Sequence, residues 1–332
     1  ILHVRFNRDN GASKVLQKGR IRFSSNLQVD PLLRGRSLGH DQIPAFCEIT
    51  PLNGDTVLAY FNEKPLWLHR QSRDHSIDEV AGPLPTFGEG SLTVDFLGAY
   101  YFHPLLPLLH FLREVAGSET WARPKPRACF MFDDPNLHWP TYGYVRYEEL
   151  ATQAEKEEFK VSFATVPADS WMLNQKTADL FHRSNNRLCL LLHGNDHLRE
   201  ELGRPGSPTA KLEMFAESVR RITKLERQAK IEVSRMMAPP HEACTEASMA
   251  AMLSVGIEGV CISTGSLRHW NPEKSWGAGF GVHLAELLGG GFPATPRFRM
   301  SLECEDVVVM LAYLGRAIIP VGHHYSIAEG PE

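Results

Sequence analysis

The chain has 332 residues, 43% of them hydrophobic, which suits one large globular domain or two moderate ones. Its formal net charge of −4, with no long Lys/Arg run, excludes the basic surface of a general nucleic-acid binder. The longest apolar stretch, "FLGAYYFHPLLPLLHFL", is broken by two histidines and two prolines, so it reads as buried and not membrane-spanning.

In chain order, the first part carries short strand-like runs, "DTVLAYF" and "PLWLHR", among many turn residues, and closes with the aromatic-rich "YYFHPLLPLLHFLREVAG", read as a packed helix. The segment "SETWARPKPRA", residues 118–128, has two prolines and several charges ahead of the strand "ACFMF", and marks a domain boundary. Two domains are therefore expected, 1–120 and 127–332. The first is a smaller accessory domain of unassigned α/β or β-rich fold.

Beyond the boundary, strands and helices alternate. "ACFMF" precedes "RYEELATQAEKEEF", "KVSFATV" precedes "QKTADLFHRS", and "RLCLLLH" precedes "TAKLEMFAESVRRITKLERQAK". In the last segment Leu212, Phe215, Val219, Ile222 and Leu225 recur at three- and four-residue spacing, giving one apolar helix face. "IEVSRMMA", a helix from Glu246 capped by Thr245, "IEGVCIS" and "AIIPVGHH" follow. Such alternation, with near-continuous apolar strands, implies an α/β fold: a parallel sheet covered by helices, closing as a barrel or partial barrel.

In such folds chemistry gathers where strands end. Four strands here end on polar groups: Asp133 and Asp134; His193 with His197 in "HGNDH"; Pro239, Pro240 and His241; His323 and His324. Taken singly, each has a plain reading as a cap, a turn or a surface histidine. Independent turns, however, have no reason to present carboxylates and imidazoles on one edge. One carboxylate with two neutral imidazoles makes a three-ligand site for Zn²⁺ or another divalent ion, with a position open for water. A second carboxylate could take the proton of that water and a histidine could protonate a leaving amine, which together describe metal-assisted hydrolysis of an amide or ester.

"FMFDDPN", "HGNDH", "MAPPHE" and "PVGHHY" resemble, in order and spacing, the motifs of the polysaccharide deacetylases, carbohydrate esterase family 4 (the NodB-homology type). The resemblance covers residues 127–332. It implies a distorted (β/α) barrel of about seven strands, Asp133 as catalytic base, Asp134, His193 and His197 as metal ligands, and His323 as general acid. Adjacent strand residues face opposite ways, so only one of His323 and His324 should face the site. The implied substrate is an N- or O-acetylated carbohydrate, with His138, Trp139, Pro240 and His241 lining its cleft and Zn²⁺ or another divalent ion as cofactor.

This chain departs from the pattern in three places. "DDP" replaces Asp-Asp-Gly, Gly194 stands where the family has Ser or Thr, and Ala238 takes the place of the arginine that steadies the base. His241 or Arg235 is the expected substitute for that arginine. These departures describe a divergent member and leave two alternatives open: a decayed deacetylase fold that binds carbohydrate, or a deacetylase of a small-molecule amide. "HEAC" is not a zinc-protease H-E-x-x-H, no G-x-S-x-G elbow exists, and the glycine clusters at 277–281 and 289–291 read as loop-shaping.

Six cysteines, Cys47, Cys129, Cys189, Cys244, Cys261 and Cys304, include no CxxC pair and read as free thiols, which leans towards a reducing, cytoplasmic setting. The first residue is Ile1, so a removed leader stays open. The oligomeric state and the sugar are not encoded in any motif.

Overall fold

A computed structural model describes residues 2–7, 16–44, 46–97, 101–117, 123–301 and 304–328. The chain divides into two compact units. The first comprises Ile1–Pro126 with Gly277–Val282 and Ser301–Arg316; the second comprises Arg127–Trp276, His283–Met300 and Ala317–Glu332. The break at Pro126 lies inside the proline-rich 118–128 segment, of which residues 118–122 are outside the described residues. Two late segments return to the first unit, a feature absent from the division into 1–120 and 127–332.

The first unit is a six-stranded sheet. Its strands are β1 (Leu2–Asn7), β2 (Leu16–Phe23), β3 (Ser37–Pro44), β4 (Thr56–Phe61), β5 (Lys64–Gln71) and β6 (Ser76–Ala81), in the spatial order β1-β6-β5-β4-β2-β3. Only the β1–β6 pair is parallel. Helix α1 (Phe102–Ala116) packs on β1 and β6. Trp67, Phe61, Phe102, Ile21 and Tyr313 are among the side chains that close its core. The segment "YYFHPLLPLLHFLREVAG" thus supplies the packed helix expected of it, with Tyr100 outside the described residues. Among the described residues no helix is long and apolar enough to cross a membrane.

The second unit is a mixed α/β fold built on a curled half-barrel sheet of nine strands. Its elements are β7 (Arg127–Ala128), β8 (Phe130–Asp133), β9 (Thr141–Tyr142), β10 (Val145–Arg146), α2 (Tyr147–Lys156), β11 (Val161–Thr165), α3 (Gln175–Arg183), β12 (Leu188–Leu192), α4 (Pro208–Ala229), β13 (Val233–Met237), α5 (Glu246–Ser254), β14 (Gly259–Cys261), α6 (Thr264–His269), β15 (Glu286–Leu288), β16 (Phe292–Thr295), β17 (Phe298–Arg299), β18 (Ala317–Ile318) and β19 (Pro320–Gly322). Helix α7 (Glu305–Leu314) belongs to the first unit.

The large sheet runs β15-β16-β14-β13-β12-β11-β8-β19-β17, parallel throughout except for β15 at one edge. Strand β11 is buried along its whole length and β12 nearly so, which is why both read as near-continuous apolar runs, broken in β11 only by Ser162 and Thr165. The sheet exceeds the expected seven or so strands because short edge pieces such as β15 and β17 extend it. Parallel pairing brings the carboxyl ends of β8, β12, β13, β16 and β19 to one edge.

Two local expectations meet the structure in different ways. Thr245 caps α5, accepting the Ser248 amide. On α4 the buried face includes Phe215, Ile222 and Leu225 as the spacing implied, but also Lys211 and Ser218, while Leu212 is exposed. Lys211 is tolerated inside because its Nζ donates to the Arg204 carbonyl and the Ser248 hydroxyl.

Candidate functional site

Asp133 is the last residue of β8, and Asp134 follows it with φ of 78°. That left-handed turn is uncommon for a residue with a side chain, and it sends the two carboxylates to different partners. Asp134 Oδ1 lies 3.2 Å from His193 Nε2 and 3.1 Å from His197 Nε2, and its Oδ2 lies 3.8 Å from His323 Nε2. Asp133 is buried and turns to Arg297, whose Nη1 donates to its Oδ1 at 2.8 Å.

His193 stands directly beyond β12. Its Nδ1 is 2.8 Å from the Ala238 carbonyl, an atom that only accepts, so Nδ1 carries the proton and Nε2 faces Asp134. His197 also sits at positive φ, 56°, which folds the loop back so that both rings converge, their centroids 4.9 Å apart. Burial and the neighbouring His193 hold the His197 imidazole below its ordinary pKa, favouring the neutral form that a metal requires. Burial opposes ionisation of Asp134, but the hydrogen bond and charges of the surrounding imidazoles outweigh it and keep its carboxyl below the usual range. The Asp134, His193 and His197 ligand atoms all lie within 4.8 Å of one another.

The 194–197 loop is fixed by Glu201. Its Oε1 accepts from the Asn195 amide at 2.8 Å and the His197 amide at 3.2 Å. Gly194 has φ of 68°, and a Cβ there would lie 1.8 Å from Glu201 Oε1 and 2.7 Å from Pro240 Cγ. The glycine that departs from the family pattern is therefore required by a buried carboxylate clamp that occupies the space of a side chain.

The arginine absent at position 238 is replaced by neither expected residue. Arg235 is engaged by Glu226, with Nη2 2.8 Å from its Oε2, and the His241 ring packs against His197 at 5.0 Å. Arg297, just beyond β16, holds Asp133 instead. Its side chain is 1% exposed, and its Nε donates to Glu242 Oε1 at 2.6 Å while Nη1 holds Asp133. Burial works against the guanidinium charge, but the two carboxylates outweigh it and raise its pKa. His241 and Glu242 are consecutive residues at positive φ, 52° and 58°, a costly turn that faces one side chain to His197 and the next to Arg297. Arg297, Glu242 and Glu201 were not singled out in the sequence; Arg297 carried the same signal as the others, a polar residue at a strand end.

The remaining expected residues divide. His323 lies in the cluster, its ring stacked on Tyr325 at 5.2 Å with Nδ1 3.2 Å from the Tyr325 hydroxyl. His324 turns away to pack between Tyr142 and Tyr144. His138 is bonded through Nε2 to the Asp169 carbonyl and meets the Trp171 ring edge-on. Trp139 is 62% exposed and Trp171 72% exposed. Pro240 is buried, its Cγ 2.7 Å from where a Cβ on Gly194 would stand.

Replacing Gly194 with Ser should strain a left-handed residue by about 1–2 kcal/mol and displace the Glu201 clamp. The denaturation midpoint in urea is expected to fall and zinc binding to weaken together. A Gly194→Ser protein with unchanged midpoint and unchanged zinc affinity would refute the clamp.

No protein-family model matches the chain, and no curated protein matches it. Among solved structures it is similar to a Mycobacterium smegmatis protein described as a polysaccharide deacetylase, at 11% identity and a TM-score of 0.41, over 62% of this chain and 79% of that one. It is also similar to the chitin deacetylase of the fungal pathogen Colletotrichum lindemuthianum, at 11% identity and a TM-score of 0.33, over 60% and 88% of the two chains. A family 4 carbohydrate esterase pseudoenzyme from Bacillus anthracis is similar at 11% identity and a TM-score of 0.32, over 60% and 69%. The solved structures to which the chain bears a distant likeness thus include a protein described as a polysaccharide deacetylase, a chitin deacetylase and a pseudoenzyme of carbohydrate esterase family 4.

Proposed function

We propose that the chain is a metal-dependent deacetylase that removes an acetyl group from an acetylated carbohydrate. The observation that carries this reading is the convergence of Asp134, His193 and His197 beside a separate buried carboxylate, Asp133, held by its own arginine. One carboxylate and two imidazoles, one of them fixed by a backbone carbonyl in the ligating tautomer, fit Zn²⁺ or a similar divalent ion. Such an ion, when bound, acidifies a water molecule and polarises an acyl carbonyl.

The chain's own groups supply the proton transfers. Asp133 Oδ1 is engaged by Arg297, so Oδ2 is the atom that accepts a proton from the attacking water. Arg297 keeps this carboxylate oriented and balances its charge in a buried setting, and Glu242 in turn neutralises and orients Arg297. His323 is partly exposed, its ring steadied by Tyr325, and it is the group within reach to protonate the departing amine or alcohol.

A carbohydrate substrate is supported by aromatic side chains on loops after the strand ends. Trp139, Tyr144, Trp171 and Tyr325 are each more than half exposed, an unusual investment of ring surface that suits the apolar faces of sugar rings. Retention of all three ligand types favours an active site over a decayed one.

The test separates metal binding from proton transfer. His193→Ala should lose both zinc and the release of acetate from acetylated chito-oligosaccharides. Asp133→Asn should keep zinc yet lower turnover by about 10²–10⁴-fold. Zinc retained by wild type with no acetate released from any acetylated sugar would sink the catalytic reading and leave a binding protein.

Removing the arginine should be costly in two ways. Arg297→Met leaves two carboxylates unbalanced around a buried position, expected to destabilise by about 3–5 kcal/mol. Arg297→Lys keeps a charge but not the fork that reaches both partners; its turnover should fall more than its stability, as read by rates beside urea denaturation. Wild-type turnover in Arg297→Lys would contradict the positioning role.

A further inference from the structure

The first unit holds a second convergence of ligand atoms, on residues that the deacetylase reading does not use. Asp78 stands on β6 opposite His69 of β5, and the two are bonded, Oδ1 to Nδ1 at 2.8 Å. The other oxygen, Oδ2, is buried with no hydrogen-bond partner among the described residues, and Asp78 as a whole is 3% exposed. A buried carboxylate oxygen in that condition costs free energy unless water or an ion meets it.

Helix α1 brings two further donors to the same point. His110 and Glu114, one helical turn apart, present Nδ1 and Oε2 4.0 Å from each other. His110 Nε2 is 2.9 Å from the Gln28 carbonyl, an acceptor, so Nε2 carries the proton and Nδ1 presents a lone pair. That Nδ1 is also buried without a hydrogen-bond partner among the described residues, 3.9 Å from Asp78 Oδ2. The nearby cations Arg113 and Arg123 are directed to Asp30, leaving the two carboxylates of the cluster unbalanced by them. A cavity of about 640 Å³ is lined by His110 and Glu114 of the cluster, with Tyr313 among others.

We propose that Asp78 Oδ2, His110 Nδ1 and Glu114 Oε2 form a divalent-cation site in the first unit, taking Zn²⁺ or an ion of similar ligand preference. Two carboxylate oxygens and one imidazole match that ion's borderline character, and three protein ligands leave room for water. Ligands at about 2.0–2.2 Å from a tetrahedral zinc stand roughly 3.4 Å apart, so the 3.9 and 4.0 Å separations from His110 Nδ1 close by about half an ångström on binding. Glu114, whose side chain is 43% exposed, has the freedom to make that shift. The ion ties α1 to β6 and satisfies both orphaned atoms. This inference is independent of the deacetylase reading.

The test uses the full chain carrying His193→Ala and His197→Ala, which removes the strand-end ligands. Equilibrium dialysis against ZnCl₂ with elemental analysis should find one zinc per chain, and zinc should raise the melting temperature. Adding His110→Ala should abolish that zinc. Adding Glu114→Gln, at a half-exposed position that leaves folding intact, should weaken it at least about tenfold and remove the thermal shift. The proposal is overturned if the double variant, folded by circular dichroism, takes up no zinc. It is equally overturned if Glu114→Gln leaves zinc affinity unchanged.

Discussion

The site depends on two acceptor atoms that face one another across about the width of a hydrogen bond. His193 spends its Nδ1 proton on a backbone carbonyl, so its Nε2 meets Asp134 Oδ1 at 3.2 Å with either a second proton or a cation between them. His197 brings another Nε2 to the same oxygen at 3.1 Å. Two imidazolium charges with rings 4.9 Å apart on a single carboxylate oxygen would repel, and burial disfavours charging His197. A single cation shared by all three satisfies every atom at once. The positive φ angles at Asp134 and His197, each an energetic cost, and the turn that Gly194 permits are what aim the three side chains at that point.

Around this centre the chain has redistributed supporting roles. Asp133 is held by Arg297 from the end of β16, and Arg297 in turn by Glu242 from the strained turn after β13. The loop carrying His197 is held by the Glu201 carboxylate, which makes Gly194 obligatory. The glycine at 194 and the arginine missing at 238 thus each have a physical counterpart elsewhere at the sheet edge. A buried charged triad is poor evidence for stability, because the desolvation it incurs offsets its attraction. Its persistence in a buried setting is better explained by the orientation it imposes on Asp133.

Much of this was legible in the sequence because strand ends in a parallel sheet share an edge. The near-continuous apolar runs of β11 and β12, the cap at Thr245 and the polar residues behind β8, β12 and β19 all followed from local pattern. What the pattern did not carry was pairing between distant segments. Arg297 and Asp133 lie 164 positions apart, and nothing in "ATPRFRM" distinguishes an arginine that enters the interior from one that faces solvent. Lys211 and Ser218 look like solvent-facing residues on α4, yet a facing hydroxyl and carbonyls admit them. The return of Gly277–Val282 and Ser301–Arg316 to the first unit is likewise a tertiary event. His323 and His324 were separable only by the strand alternation rule, and the tyrosines that receive His324 lie in a different loop.

The most direct measurement is anomalous X-ray scattering at the zinc absorption edge from crystals of the wild-type chain grown with zinc. The account predicts a peak bounded by Asp134 Oδ1, His193 Nε2 and His197 Nε2, with Asp133 beside it but not ligating. Crystals that show no peak among these atoms, with His193 and Asp134 joined directly by a proton, would contradict it.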